Sequence, residues 1–341
     1  MIVLLLSACW KTDPATVDLT DVPYDNPDLA VDARVRMLDL EVVCPDGKPD
    51  PLFVLFTPGD TATPIAILLH SGAFDYVVDP QEDDVLSGPH YRAVSRLDRT
   101  WSNDKVWETF GLATIEIDPP EENLGALPTA LVNAGVTVVA PGNCWGDLWH
   151  GEAGVQEGEP DVDGFERNGR AAAWETVELV RDGAMLPLAW NGELYLAGLG
   201  EGGRGVTELL THDDLPTVGG ILVDSAPDDL SPYVDDTAAW ADEVAGLERI
   251  FGTGLHDPVE RARWTLSGAA EEDLLPERVA YLWSSLDPRV PAAAMDGFAA
   301  EASTHEANWV LDAGVARHVL TNGDPTLAAQ AADYLLTGTH P

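Results

Sequence analysis

Residues 194–203, with the sequence LYLAGLGEGG, contain the strongest structural signal in the chain. The first four residues form a short apolar run, which is typical of a strand buried on both faces of a sheet. Glycines follow at positions 198, 200, 202 and 203, and a helical pattern begins at Arg204. Because glycine tolerates backbone conformations that other residues avoid, this cluster suits a tight turn. The stretch predicts a buried strand that turns sharply into a helix.

Apolar runs of the same kind recur along the chain and alternate with helical patterns. Met37–Val43 and Leu52–Phe56 flank a Pro-Asp-Gly turn and predict a β-hairpin. Further strands are predicted at Ile65–Leu69, Val136–Ala140, Leu194–Ala197, Ile221–Val223, Val279–Trp283 and Trp309–Leu311. Helices are predicted at Leu127–Ala134, Phe165–Arg181, Arg204–Leu210, Thr237–Ile250, Pro291–Ala302 and Pro325–Leu336. This alternation predicts an α/β domain with an eight-stranded, mostly parallel sheet flanked by helices.

The chain divides into an N-terminal leader and one large domain. Residues 36–338 contain all the predicted strands and helices, with one irregular insertion at residues 75–125. Irregular segments of that length are usually functional. Residues 10–35 hold six aspartates and three prolines with little apolar periodicity. That composition predicts a solvated acidic tether in front of the domain.

The charge balance restricts the partners of the protein. Its 341 residues carry 59 acidic and 18 basic side chains, which gives a formal net charge of −41 at pH 7. Such a charge repels phosphate backbones and anionic membrane surfaces, which argues against a nucleic-acid partner. The 45% hydrophobic content is enough to bury a sizeable core. Three scattered cysteines form no zinc motif, and we expect no metal and no cofactor.

The first ten residues, MIVLLLSACW, resemble the end of a bacterial lipoprotein signal peptide. The resemblance implies that residues 1–9 are a signal segment and that Cys9 carries a lipid. The protein would then be exported and anchored to the cell envelope, on its periplasmic or outer surface. A frayed apolar terminus is the alternative interpretation. In an oxidising compartment Cys44 and Cys144 either form a disulfide or remain two buried thiols, and both readings stay open.

Chemistry in an open parallel sheet is expected where the strands end at their carboxyl edge. After the third strand comes His70-Ser71-Gly72-Ala73-Phe74, and after the fifth comes the glycine cluster. Asp287-Pro288-Arg289-Val290-Pro291 follows the seventh strand, and His318 follows the eighth. These features, in this order, resemble the α/β-hydrolase superfamily of esterases, lipases and peptidases, in which nucleophile, acid and histidine occur in that sequence.

The resemblance assigns roles residue by residue. Asp287 would be the acid that orients the histidine, and His318 would be the general base. The backbone N–H groups of Gly72, Ala73 and Glu201 would hold a developing oxyanion. From the residues alone, Asp287 is equally a turn former and His318 is alternatively a capping histidine.

The sequence departs from the family where the nucleophile belongs. The segment matches the Gly-x-Ser-x-Gly elbow at Gly198 and Gly202, but its centre is Gly200. Glycine has no side chain that can attack a carbonyl. We therefore expect a catalytically impaired or repurposed hydrolase homologue that binds a small-molecule or peptide ligand. The alternative is an active hydrolase of ester or amide bonds that uses another nucleophile or direct attack by water.

Several other residues allow a second interpretation. Gly198, Gly200 and Gly203, with Asp224 about twenty residues on, also match a dinucleotide-binding fingerprint, which we consider less favoured because the strand is the fifth of the domain. Trp145 and Trp149 follow the fourth strand and either line a substrate pocket or pack beneath the insertion. The hydroxyls of Ser71 and Ser225 do not lie on an elbow and are expected to make loop hydrogen bonds.

Overall fold

The computed structural model describes residues 22–24, 28–43, 49–59, 61–69, 126–141, 170–183, 189–200, 202–241, 243–244, 247–248, 252–262, 265–271 and 273–341. The insertion predicted at residues 75–125 and the signal segment predicted at residues 1–9 lie outside these ranges.

A single sheet of nine strands forms the centre of the described chain, in the order β1-β2-β3-β5-β4-β6-β7-β8-β9. The strands are β1 Val22–Tyr24, β2 Ala33–Val43, β3 Pro49–Phe56, β4 Thr63–Leu69, β5 Thr137–Pro141, β6 Trp190–Leu199, β7 Val218–Asp224, β8 Val279–Trp283 and β9 Trp309–Asp312. The six strands from β4 to β9 pair in parallel, whereas β1, β2 and β3 pair antiparallel. The predicted mostly parallel sheet is confirmed.

The sheet has one strand more than the eight predicted. The added strand, β1, lies within the segment predicted to be a tether, and it pairs with β2 between Val22 and Val35. Three residues are too few to show a strand periodicity, so this edge strand leaves no sequence pattern. The acidic leader therefore includes a sheet edge, and β2 begins at Ala33 rather than after residue 35.

Most of the helices that flank the sheet lie close to the predicted positions, whereas three short ones, at Ser231–Asp235, Pro258–Arg261 and Leu266–Glu271, were not predicted. The helices are α1 Ala126–Asn133, α2 Arg170–Arg181, α3 Gly202–Leu210, α4 Ser231–Asp235, α5 Pro258–Arg261, α6 Leu266–Glu271, α7 Asp296–Ala302 and α8 Pro325–Thr337. Short 3-10 turns occur at Gly252–His256, Ala292–Ala294 and Leu320–Gly323. Within the predicted helix Thr237–Ile250, positions 241, 243–244 and 247–248 are helical and the residues between them lie outside the described ranges.

The predicted helix Pro291–Ala302 is wrong in one respect, because it is two elements. The 3-10 turn Ala292–Ala294 is followed by α7, which begins at Asp296. The carbonyl of Ala294 accepts the N–H groups of Asp228 and Asp229 at 2.8 and 3.1 Å. A carbonyl that already accepts hydrogen bonds from a neighbouring loop is a poor acceptor for a continuous helix, so the helix restarts two residues later, at Asp296.

Both faces of the sheet are buried, as the continuous apolar runs predicted. On one face Ile65, Ile67 and Leu196 pack against α2 and α3, and on the other Ala66 and Leu68 pack in the cluster that includes α1 and α8. Successive strand residues point to opposite faces, so an unbroken apolar run is what a doubly covered strand needs. Among the described residues no helix is both long and apolar enough to cross a membrane.

Candidate functional site

Four parallel strands end side by side at the carboxyl edge of the sheet. They are β6, β7, β8 and β9, which are neighbours in that order. Gly200, Asp224, Asp287 and His318 come at or just after their respective ends. The topology thus brings the residues that the sequence singled out to one end of the molecule.

The turn after β6 has the form that its glycines predicted. Gly200 has a left-handed backbone, with φ of 54°, and α3 begins two residues later. A Cβ atom at Gly198 would lie 2.6 Å from the carbonyl oxygen of Gly202. A Cβ atom at Gly203 would lie 2.4 Å from that of Ala226. The close approach of strand, turn and helix therefore requires glycine at these two positions.

Asp287 and His318 are in direct contact. The Nδ1 atom of His318 donates to Oδ2 of Asp287 at 3.0 Å. The other oxygen, Oδ1, accepts the backbone N–H groups of Arg289 and Val290 at 2.8 and 3.0 Å. The Asp287 side chain is fully buried and that of His318 is 6% exposed. A carboxylate held by two backbone donors keeps its orientation, and it orients the imidazole in turn.

A second carboxylate, Asp224, which the sequence singled out only for the dinucleotide interpretation, holds the loop after His318. The side chain of Asp224 accepts the N–H of Leu320 at 2.9 Å, and both the N–H and the hydroxyl of Thr321 at 2.7 Å. It also accepts the hydroxyl of Ser225 at 2.9 Å. Burial raises the pKa of Asp224, and the hydrogen bonds from Thr321, Leu320 and Ser225 offset that rise only in part.

Serines and a further aspartate join the acid loop to the histidine loop. The hydroxyl of Ser284 donates to the carbonyl of Val315 and accepts its N–H at 3.0 Å. Oδ1 of Asp312 accepts the N–H groups of Ser285 and Gly314 at 3.0 and 2.9 Å. Burial opposes the charge of Asp312, but these bonds and the Ser285 hydroxyl outweigh it and lower the pKa of Asp312. The loops after β8 and β9 therefore form one hydrogen-bonded unit.

Known structures share this architecture. The chain is similar to a puromycin-hydrolysing peptidase from Mycobacterium tuberculosis (TM-score 0.53, 15% identity, covering 92% of this chain and 40% of that one). It is equally similar to carboxyl esterase 2 from Tuber melanosporum (TM-score 0.53, 15% identity, 93% and 88% covered). An acylaminoacyl peptidase from Pyrococcus horikoshii matches at TM-score 0.53 and 9% identity, with 89% and 40% covered. The protein has the α/β-hydrolase fold.

The matches cover most of this chain, but the fraction of each known protein that they cover differs. The chain spans 40% of the length of each of these two peptidases and 88% of the length of the esterase. No protein-family profile and no curated protein matches the sequence. With identities of 9–15%, the similarity establishes the fold of the chain, and its chemistry must be argued from its own residues.

The α/β-hydrolase fold brings together three of the residues predicted for the site, namely Gly200, Asp287 and His318. The other predicted site residues lie outside the described residues: Cys9, Gly72, Ala73, Trp145, Trp149 and Glu201. The same is true of Cys44, Cys144, His70 and Ser71. Their assigned roles remain predictions.

Ser225 makes loop hydrogen bonds, as the sequence predicted, although its backbone resembles that of an elbow. Its φ is 57°, in the left-handed region. Its hydroxyl donates to Asp224 and accepts the N–H of Val319 at 3.1 Å, and the residue is fully buried. A hydroxyl enclosed in this way has no access to a substrate carbonyl.

The structure does not support the dinucleotide interpretation, because its acidic residue is not available to a ligand. That interpretation required Asp224 to bind a ribose hydroxyl, but Asp224 is fully buried and its oxygens accept four hydrogen bonds from the chain. Among the described residues, no cluster of three or more histidine, cysteine, aspartate or glutamate side chains could hold a metal ion.

Proposed function

We propose that the protein is a hydrolase homologue that retains the acid and base of a catalytic triad but has glycine, Gly200, in place of the nucleophile. The observation that supports this most directly is the 3.0 Å hydrogen bond between His318 and Asp287. It occurs at the same sheet edge as a left-handed strand-to-helix turn centred on Gly200. In serine hydrolases that turn presents the nucleophile, and the histidine is held by the acid.

A covalent route through the turn is closed in this chain. Glycine cannot form an acyl intermediate, and the hydroxyl of Ser225 is buried in its own hydrogen bonds. When a triad member is lost, oxyanion stabilisation and binding alone still accelerate hydrolysis by roughly 10³–10⁴-fold over water. We therefore infer that binding is the main role, with any turnover slow.

The ligand that suits this site is a small molecule or a peptide with a carbonyl group. The N–H groups of Gly72, Ala73 and Glu201 are the proposed donors to its oxygen, and Trp145 and Trp149 the proposed walls of its pocket. We further propose that Cys9 is lipidated and that the domain is exported and held at the cell envelope. If so, Cys9→Ala should move the full-length chain from the membrane fraction to the soluble fraction of an expressing bacterium.

An active hydrolase is the second candidate, and the His318–Asp287 contact favours it. With Nδ1 directed to Asp287, Nε2 would take a proton from water while the water oxygen bonds to the carbonyl carbon. The proton would then pass to the leaving alcohol or amine as its bond to that carbon breaks. This route needs no side chain at position 200.

The two candidates differ in one assay, hydrolysis of a panel of aryl esters by the purified chain and by His318→Ala. The binding protein should give the same low rate in both, while non-hydrolysable ester analogues raise its melting temperature by mass action. Turnover that falls at least about 100-fold in His318→Ala would establish the water route instead. Covalent labelling of the unaltered chain by a fluorophosphonate would refute loss of the nucleophile.

A further inference from the structure

We propose that Asp224 is a positioning residue for His318, which fixes the histidine loop in the conformation that meets Asp287. This inference rests on the proposed role of the His318–Asp287 pair. It concerns a residue that the triad pattern does not include and that accepts backbone N–H and hydroxyl groups rather than the imidazole N–H.

Both oxygens of the Asp224 carboxylate accept two hydrogen bonds each from the chain. Its Oδ1 accepts the N–H of Leu320 and the hydroxyl of Ser225, and its Oδ2 accepts the N–H and the hydroxyl of Thr321. These four bonds measure between 2.7 and 2.9 Å. A carboxylate has about four acceptor sites, so the four donors from these two loops occupy all of them.

The loop that Asp224 holds has a strained backbone directly after His318. Val319 has φ of 53° and ψ of 82°. A β-branched residue seldom adopts this left-handed conformation, because its Cβ substituents crowd the backbone. The Val319 N–H donates to the Ser225 hydroxyl at 3.1 Å, and the next two N–H groups donate to Asp224. Three consecutive backbone donors are thus captured, which compensates for the strain.

Asp224 also contacts the turn after β6. Its backbone carbonyl accepts the N–H of Gly200 at 2.7 Å. A single residue at the end of β7 therefore holds the turn on one side and the histidine loop on the other. Displacing its side chain should alter the position of His318 relative to both Asp287 and Gly200.

Stability alone does not call for a charge at this position. A fully buried carboxylate loses its hydration, and a neutral side chain would avoid that cost. No neutral side chain of this size has two acceptor oxygens, however, and two are needed to receive four donors. The ionised carboxylate is therefore explained by its two acceptor oxygens, which receive the four donors in a fixed arrangement.

The first measurement is the far-downfield proton NMR resonance of the His318 Nδ1–H in the full-length chain. Asp287→Asn identifies the resonance by weakening or shifting it. Asp224→Asn leaves one acceptor oxygen. The Nδ1–H of His318 should then exchange faster with water, which broadens its resonance beyond detection, or its hydrogen bond to Asp287 should weaken, which shifts the resonance upfield. Because this readout needs no reactive nucleophile, it tests the positioning role even if the proposed function is wrong.

The second measurement uses the Gly200→Ser chain, whose new hydroxyl can displace fluoride from a fluorophosphonate and become phosphonylated. Asp224→Asn in that background should lower the labelling rate about tenfold or more, the scale of one lost charge-assisted hydrogen bond. Thr321→Val, which removes one of the four bonds, should lower it less. Thr321→Ser keeps the hydroxyl and should restore the rate of the Gly200→Ser chain.

Asp228→Asn is the matched control for lost stability. Asp228 also lies after β7 and accepts two backbone N–H groups and a hydroxyl, but from Leu266 and Ser267 at the start of α6. It should lower the melting temperature without changing the His318 resonance. If Asp224→Asn behaves as Asp228→Asn does, or if Thr321→Val leaves both readouts unchanged while Asp224→Asn fails to fold, the positioning role is refuted.

Discussion

The glycines on either side of Gly200 show how little room the turn leaves for side chains. At Gly203 an added Cβ would meet the Cβ of Ala226 at 2.4 Å and a methyl carbon of Val223 at 2.8 Å. Neither neighbour is the end of a flexible side chain, so the strand and helix would have to separate. The packing of Gly203 against Val223 and Ala226 therefore maintains the tight turn independently of the residue at position 200.

Gly203→Ala should lower the free energy of unfolding by about 1–3 kcal/mol, the usual effect of overpacking a core contact. Gly297→Ala is the matched control, because a Cβ there meets nothing within 4 Å and the residue lies inside α7. That control should raise the free energy of unfolding by up to about 1 kcal/mol through helix propensity. Urea unfolding measures both, and equal effects would contradict the packing argument.

At the residue scale, the sequence predicted the contacts that depend on side-chain type. Asp287 and His318 were identified because their places after the seventh and eighth predicted strands resemble those of the acid and the histidine in the α/β-hydrolase superfamily. Asp224 ends β7 at the same edge, but two of its four donors are backbone N–H groups 96 and 97 residues away. Since every residue except proline carries such a donor, no residue type marked these partners in advance.

At the element scale, the loops after β8 and β9 depend on a surface carboxylate. Asp312 ends β9, and its pKa is lowered because the bonds from Ser285 and Gly314 outweigh the opposing effect of burial. A carboxyl whose pKa is lower in the folded state stabilises the fold above its unfolded pKa, about 3.9. That stabilisation disappears as the pH falls through the folded value.

Asp312→Asn should therefore lower the melting temperature more at pH 7 than at pH 3. Differential scanning fluorimetry of the two proteins across this range measures the difference. Asp333→Asn, which removes an exposed carboxylate from α8, controls for the loss of one negative charge. A difference between Asp312→Asn and the unaltered protein that is equal at both pH values would contradict the assignment.

Helix boundaries were predictable where local signals set them. α8 begins after Asp324, whose side chain accepts the N–H groups of Thr326 and Leu327, and ends at Gly338 in the left-handed conformation. The sequence predicted this helix at Pro325–Leu336, which has the same first residue and ends one residue early, because such caps are local. The division of Pro291–Ala302 into two elements was not predictable, since it depends on donors from the distant loop at Asp228.

At the scale of the whole molecule, the net charge of −41 acts against the compact state. Like charges repel more strongly when folded chains hold them close together, and dissolved salt screens that repulsion. The screening length falls from about 10 Å at 0.1 M salt to about 3 Å at 1 M. Salt should thus stabilise this fold at neutral pH.

Raising sodium chloride from 0.1 to 1 M at pH 7 should increase the melting temperature by roughly 2 °C or more, the shift that a gain of about 1 kcal/mol produces in a domain of this size. The same addition near pH 4.1, the isoelectric point of the sequence, should have little effect because the net charge is then close to zero. Thermal unfolding followed by circular dichroism gives both values. An equal increase at the two pH values would show that screening is not the cause.

The mostly parallel sheet and the packing of both its faces followed from the alternation of apolar runs and helical patterns, whereas the order of the strands within the sheet was not predicted. The antiparallel edge was predicted less completely, because β1 is a strand of three residues that is held by pairing with β2. Pairing between segments is a property of the folded chain, so short edge strands carry little local signal. The architecture at the centre of the sheet was the more predictable part for this reason.

The central claim is that His318 and Asp287 form a working acid–base pair beside a turn that lacks a nucleophile. The rate of fluorophosphonate labelling of Gly200→Ser, compared with Gly200→Ala and with the unaltered chain, tests it most directly. Both substitutions place a Cβ on a left-handed residue, at a cost of about 1–2 kcal/mol, so only the hydroxyl distinguishes them. The account predicts labelling of Gly200→Ser alone, abolished by His318→Ala. A folded Gly200→Ser chain that stays unlabelled, or labelling of the unaltered chain, would contradict it.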